Sequence, residues 1–405
     1  MKDIRTQFTA LSDTPNLVYL DSAATALVPE MVVDAMSLYY KKYPANVHRG
    51  LYDMSIEATQ QYEGARKSVA QFIGASPDEV VFTSGTTQGI NMLAVALKKQ
   101  LTSDDVIVLT RYEHHANLIP WQEVASEVGC ELRFIDLILT GDGTYTVDME
   151  SARTCIDAQV KVVAYSAASH VLGTIAPIKE IQHLAKAVGA ITVIDAAQAI
   201  AHMPLDVKEI DCDFLVFSGH KLYGPTGVGV LYGKKEHLEK LAPVSFGGGM
   251  VETVSYTSAT WAKGPAKFEP GTPSIAAVIG LGAAVKFITS VGWKSICAHE
   301  KDIMQYAQDV LGNDTHIEVL GPTHDTDRIA VFSFCVSGIH AHDVAEICNR
   351  SHVAVRAGHH CAIPLLKYMG KDSVVRASCG IYTSREDIDR LATALNEAKR
   401  IFSVT

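Results

Sequence analysis

Short β-branched or apolar runs recur along the chain at residues 18–20, 80–83, 106–109, 162–165, 191–194, 214–217 and 228–232, with amphipathic stretches between them. A chain patterned this way is confined to α/β architectures, in which a mostly parallel sheet is covered by helices on both faces. These runs predict a seven-stranded sheet. The last of them returns after a short Gly/Pro turn, so it is expected to be a hairpin partner that makes the sheet mixed. The pattern dissolves over 243–273 into Gly, Pro, Thr and Ser, a long loop of the kind that often carries function. A helix from Ile275 to about Thr289 follows, with Gly280 and Gly282 as weak points. The remainder reads as a smaller α+β unit with strands near 328–336 and 353–356. The expected division is a large domain at 19–285 and a small one formed by 1–18 and 286–405.

At 405 residues the chain can bury two cores, and 48% hydrophobic with 20% charged residues is an ordinary globular balance. A net charge of −10 lacks the basic footprint of a nucleic-acid binder. The longest uncharged apolar stretch, 275–285, is too short to span a bilayer, and the N-terminus has no signal-peptide core. The expectation is a cytoplasmic protein with no nucleic-acid or membrane partner. Eight cysteines are scattered without a C-x-x-C pair and read as thiols.

One lysine stands out. In FSGHKLYGPTG, Lys221 sits between two apolar runs, followed by a glycine-rich turn. A snorkelling lysine is the ordinary case. At a strand end of an α/β sheet, however, ligands gather, and a desolvated amine becomes a nucleophile able to form a Schiff base. In ITVIDAAQAI, Asp195 closes another run and Gln198 follows at i+3. Asp195 is either a helix N-cap or a carboxylate that keeps a pyridine nitrogen protonated. In VVFTSGTTQGIN, Thr86 and Thr87 open a helix after a strand, where hydroxyls and N–H groups either cap the helix or hold an anion such as phosphate. In RYEHHANLIPW, either His114 or His115 could stack on an aromatic cofactor.

Cys361, in RAGHHCAIP, is the cysteine with positively charged neighbours, which favour a nucleophilic thiolate. Cys335, in an apolar strand, fits a structural role better. Arg356 and Arg376 are candidates to clamp a substrate carboxylate. No metal site is expected, because neither histidine pair has further ligands at a suitable spacing.

Together, DSAATAL, NVHRG, SGTTQGIN, EHHANLIPW, DAAQA, FSGHKLYGPTG, FEPGTP and RAGHHCAIP occur in one order over essentially the whole chain. In this the sequence resembles the class V aminotransferase-fold enzymes, and within them the cysteine desulfurases of the SufS/CsdA group. The resemblance implies a pyridoxal 5'-phosphate (PLP)-dependent transferase of fold type I, acting as a homodimer. It implies that Lys221 carries the cofactor covalently, that Asp195 pairs with its ring nitrogen, that Gln198 reaches its hydroxyl and that His114 stacks on its ring. Thr86, Thr87, Ser218 and His220 would hold the phosphate, and Thr272 would reach the partner subunit's phosphate. Arg356 and Arg376 would bind the substrate, L-cysteine, in a site that His48 also lines. Cys361 would accept the sulfur as a persulfide and pass it to a sulfur-acceptor protein of the iron–sulfur assembly system.

The chain departs from that pattern in places. His170 stands where these enzymes carry asparagine, and Ser84, Ser274 and Thr383 are further differences. If His170 faces the substrate carboxylate, its charge makes binding pH-dependent; otherwise the ring only fills space. Selenocysteine lyases and cysteine sulfinate desulfinases share these motifs, and a non-catalytic sulfur-transfer scaffold of the same fold is the alternative from another class.

Overall fold

The central sheet is built from β1 Val80–Thr83, β2 Val106–Thr110, β3 Glu131–Ile135 and β4 Val160–Ser166. It continues with β5 Ile191–Asp195, β6 Phe214–Ser218 and β7 Gly229–Gly233. The computed structural model describes residues 2–140, 144–323 and 328–404, and in it these strands lie in the order β1-β7-β6-β5-β4-β2-β3. β7 runs antiparallel to β1 and β6, and every other pair is parallel. The sheet is therefore seven-stranded and mixed, as expected, but one member differs.

Residues 18–20 do not belong to it. Val18–Tyr19 pairs in parallel with Val353–Ala354, and Val18 and Leu20 pack in the small unit's core with Phe332 and Phe334. The seventh strand is β3, whose pattern carries no apolar run because it lies at the sheet edge. Its Arg133 is paired with Glu131 and Asp157, as suits an edge that must not recruit another strand.

Period-two alternation fills both faces of the sheet. Val163, Tyr165, Leu215 and Phe217 face one core, and Val162, Ala164, Phe214 and Val216 face the other. On the first side, α1 Asp53–Phe72 packs against α3 Ile275–Val291, while α2 Thr86–Lys98 covers the second. Gly282 in α3 is explained by this contact: a Cβ there would lie 2.6 Å from the Cβ of Ala65. The chain bends by 78° after α3 into α4 Trp293–Gly312. Position 285, expected as a boundary, thus falls inside α3. The N-terminal segment is shared too, since Phe8 packs on Tyr223, Phe287 and Tyr382 in the main core.

The small unit has an antiparallel sheet of β8 Ile317–Leu320, β9 Val331–Val336, β10 Arg356–Gly358 and β11 Val374–Ser378, ordered β8-β9-β11-β10. Helices α5 Ala341–Arg350 and α6 Arg385–Ile401 contribute to its core. The single strand expected at 353–356 is divided: Val353–Ala354 joins Val18–Tyr19, and β10 begins at Arg356. The expected loop at 243–273 contains a hairpin of Val251–Val254 with Ala259–Trp261. All eight cysteines are free thiols. No single helix among the described residues is long and apolar enough to cross a membrane.

Candidate active site

The C-terminal ends of neighbouring parallel strands make the floor of the site. Ser166 ends β4, Asp195 pairs with it at the end of β5, and Ser218 ends β6. A cavity of about 330 Å³ opens above them, where ligands of open α/β sheets bind.

Lys221 follows β6 on a single helical turn, Gly219–Lys221, and reaches into this cavity. Burial pushes its amine down to about 8, against the pull of Asp195. Asp195, Arg376 and Cys361 act on the amine as charges, and no hydrogen bond to it is found among the described residues. Asp195 is buried, and burial raises its carboxyl above the usual range. Its Oδ1 accepts the N–H of Ala197 at 2.8 Å. Gln198 lies in the same wall and donates to the carbonyl of Ala23 at 2.9 Å.

Thr86, Thr87, Ser218 and His220 line one end of the cavity at the N-terminus of α2. The Ser218 hydroxyl lies 2.8 Å from both the backbone N and the hydroxyl of Thr86. Gly85 and Gly229 allow the approach of helix to sheet here: a Cβ on Gly229 would lie 2.4 Å from the Gly85 Cα. Burial, then the Lys221 charge, push His220 down to about 4.

Of the two candidate histidines after β2, His114 lines the cavity. Burial and Lys221 lower it to about 4, and its Nδ1 accepts the Ala116 N–H at 3.0 Å, so the neutral ring carries its proton on Nε2. His115 turns instead to the loop of Cys361. Behind them, Glu113 is buried and accepts from Thr110, Asn117 and both the backbone and hydroxyl of Ser166. It ties the β2 and β4 ends together.

His170 also lines the cavity, edge-on to His114 with ring centroids 4.8 Å apart. It is buried, and its Nε2 donates to the His360 carbonyl at 2.8 Å. Burial first, then His114, Arg376 and Lys221, hold it well below its ordinary range. The neutral state removes the reason to expect a pH-dependent imidazolium. Profiles of kcat/KM between about pH 5.5 and 8.5, spanning the ordinary histidine range, should therefore superimpose for the parent and His170→Asn in shape. A limb present in one protein alone would restore His170 as a titrating group.

Arg376 is buried on β11, and Arg356 on β10 is half exposed. Both are held by Asp21, Arg356 through Nε and Nη2 at 3.1 and 2.8 Å and Arg376 through Nη2 at 3.5 Å. Arg376 also donates to the His170 carbonyl at 3.0 Å, while its buried Nε has no partner among the described residues. Cys361 is exposed at the cavity mouth, on the turn after β10.

Thr272 and His48 are not brought into this cavity. Thr272 accepts from Asn46 at 3.5 Å and lines a separate hollow with Ser84 and Gln88. His48, at a backbone φ of 75°, bonds to Glu63 at 3.0 Å in another hollow beside Arg66 and Glu269. Sequence reasoning had no role for Asp21, Glu113 or the loop contacts of His115. Their place inside otherwise recognised segments, DSAATAL and EHHANLIPW, was the available signal. Among the described residues no group of three or more His, Cys, Asp or Glu is placed to hold a metal ion.

A family model described as aminotransferase class-V matches residues 18–391. The chain belongs to the class V aminotransferase family. A member named probable cysteine desulfurase, from Halalkalibacterium halodurans, is 45% identical over 99% of this chain and 98% of that one. The apo cysteine desulfurase of Thermococcus onnurineus superposes with a TM-score of 0.93 at 40% identity, covering 98% of this chain and 97% of the other. The cysteine desulfurase CsdA of Escherichia coli gives 0.89 at 36% identity, with 98% of each chain covered. The class V fold, a large mostly parallel sheet with a smaller α+β unit, is thus shared along the chain.

Proposed function

We propose that the protein is a PLP-dependent cysteine desulfurase, converting L-cysteine to L-alanine and taking the sulfur onto Cys361. The carrying observation is that one cavity holds the Lys221 amine, pushed down by burial and without a hydrogen bond among the described residues, with the exposed thiol of Cys361 at its mouth. Relatives at this identity are named for that activity.

The residues fit the cofactor. Asp195, with no donor on Oδ2 among the described residues, suits a protonated ring nitrogen, and the α2 N-terminus with Thr86, Thr87, Ser218 and His220 suits a phosphate. When bound, the cofactor supplies an electron sink for the pair left at the substrate Cα. Lys221 would hold the cofactor, and its neutral amine would take the Cα proton. Arg376 and Arg356 would orient the substrate carboxylate, and neutral His114, in the cavity wall, would be available to stack on the cofactor. The Cys361 thiolate would bond to the substrate sulfur as the Cβ–S bond breaks, Cβ would take a proton to become the alanine methyl, and the Lys221 ammonium would return the proton to Cα to complete alanine. An acceptor protein's thiolate would then take the outer sulfur of the persulfide, breaking the S–S bond and releasing the Cys361 thiolate, and exposure of Cys361 gives it access.

A homodimer is part of the reading. His48 and Thr272 lie outside their own chain's cavity, as residues that serve a partner's site would. Large apolar side chains are exposed just after His48, with Leu51 94% and Tyr52 54% exposed. Free thiols throughout accord with the cytoplasm.

The test is direct. Purified protein given L-cysteine and a reductant should release alanine and sulfide in equal amounts, and without reductant the Cys361 peptide should gain the mass of sulfur. Alanine-free sulfide release, or sulfur found on another cysteine, would overturn the assignment.

A further inference from the structure

The turn that carries Cys361 belongs to the small unit, yet the large domain grips it at three points. The backbone N–H of His115 donates to the Cys361 carbonyl at 2.9 Å, and His115 Nε2 accepts the N–H of Ile363 at 3.2 Å. From a different strand connection, His170 Nε2 donates to the His360 carbonyl at 2.8 Å. From the small unit itself come the Ala362 N–H to His359 carbonyl bond, at 2.9 Å, and the His360 Nε2 bond to the Val374 carbonyl, at 3.1 Å.

This grip meets a backbone that needs it. His360 and Cys361 have φ of 52° and 56°, consecutive left-handed positions without glycine. Side-chain-bearing residues avoid that region, and they stay there only where surrounding contacts over-determine the conformation. The bonds from His170 and His115 fall on the carbonyls of the strained pair itself and on the N–H of Ile363 just beyond it. The His115 bond needs a neutral ring with Nε2 bare, and the His170 bond needs a proton on Nε2. Burial favours the neutral form of each.

We propose that His115 and His170 are positioning residues that lock the His360–Cys361 turn and so present the Cys361 thiol to the Lys221 cavity. The proposal rests on Cys361 being the sulfur acceptor. It gives His170 a task at the loop backbone, where the resembling enzymes carry asparagine, and it gives the second histidine of the EHHAN segment a task distinct from the first.

The test compares His115→Phe and His170→Phe, which keep a ring but lose the nitrogens, with His115→Gln and His170→Gln. A glutamine amide places an acceptor or donor close to where histidine has Nε2. Hydrogen–deuterium exchange of the holoprotein is followed over 359–366. Loss of one such bond is expected to speed exchange in this segment about fivefold to tenfold in each Phe variant, with the Gln variants returning near the parent. Alkylation of Cys361 by iodoacetamide should change in the Phe variants and recover in the Gln variants. Cysteine kcat should fall more than KM changes, because the thiol acts after substrate is bound.

Unchanged exchange and thiol reactivity in both Phe variants would overturn the proposal. So would acceleration spread over the whole chain, which marks general destabilisation, or Gln variants no better than Phe. The underlying reading is judged separately with Cys361→Ala. If that variant keeps full cysteine turnover while the loop responds as expected, the tether stands and the acceptor role falls.

Discussion

Lys221→Ala slows alanine formation from L-cysteine by about 10²–10⁴-fold or more, the range expected when a positioned proton-transfer group is removed. The loss is larger than for any surrounding contact because the amine has two tasks, anchoring the cofactor and moving the Cα proton. Borohydride treatment of the parent should fix the cofactor on the Lys221 peptide, and the variant should show no such adduct. The pH dependence follows from burial. With the amine pushed down to about 8, below the ordinary lysine range, its neutral nucleophilic fraction grows as pH rises and is nearly complete above that value. Covalent capture of PLP by apoprotein should therefore accelerate about tenfold per pH unit below 8 and level off above it. Acceleration continuing to the ordinary lysine range would show that the amine is not depressed, and an adduct on another lysine would displace Lys221.

Cys361→Ala should retain the cofactor absorbance band near the visible edge and still bind L-cysteine, yet lose desulfuration by about 10³-fold or more, as removal of a nucleophile commonly does. The separation arises from placement. Lys221, Asp195 and the phosphate end of the cavity lie on the large domain's strand ends, whereas Cys361 approaches from the turn after β10. Steps up to proton removal need only the first group. Selenocysteine, whose selenium leaves more readily, should lose less activity in the same variant. Alanine production from L-cysteine unchanged in Cys361→Ala would refute the nucleophile role, and equal losses on both substrates would place the thiol earlier in the reaction.

How far these assignments could be read without coordinates varies by element. Strands β1, β2, β4, β5, β6 and β7 were legible because burial on both faces demands near-continuous apolar runs. β3 was not, since an edge strand tolerates Arg133 and Glu131. Residues 18–20 were misplaced for the converse reason: an apolar run states that it is buried, and the partner, here Val353–Ala354, is set by tertiary pairing.

The amino-acid order alone determined the alternating architecture, the strand-end positions of Lys221 and Asp195, and the unusual setting of Cys361. These are properties of local pattern, carried by hydrophobic periodicity and by residue types whose chemistry is distinctive. Tertiary structure decided what depends on residues far apart in the chain. Asp21 meets Arg356 and Arg376 across more than three hundred residues, and His115 and His170 reach the Cys361 turn from separate strand connections. It also decided the charge of His170, which sequence left free to titrate and which the buried wall beside Arg376 and Lys221 keeps neutral. Ionisation depends on the water a side chain can reach, and that is fixed only when distant segments close around it.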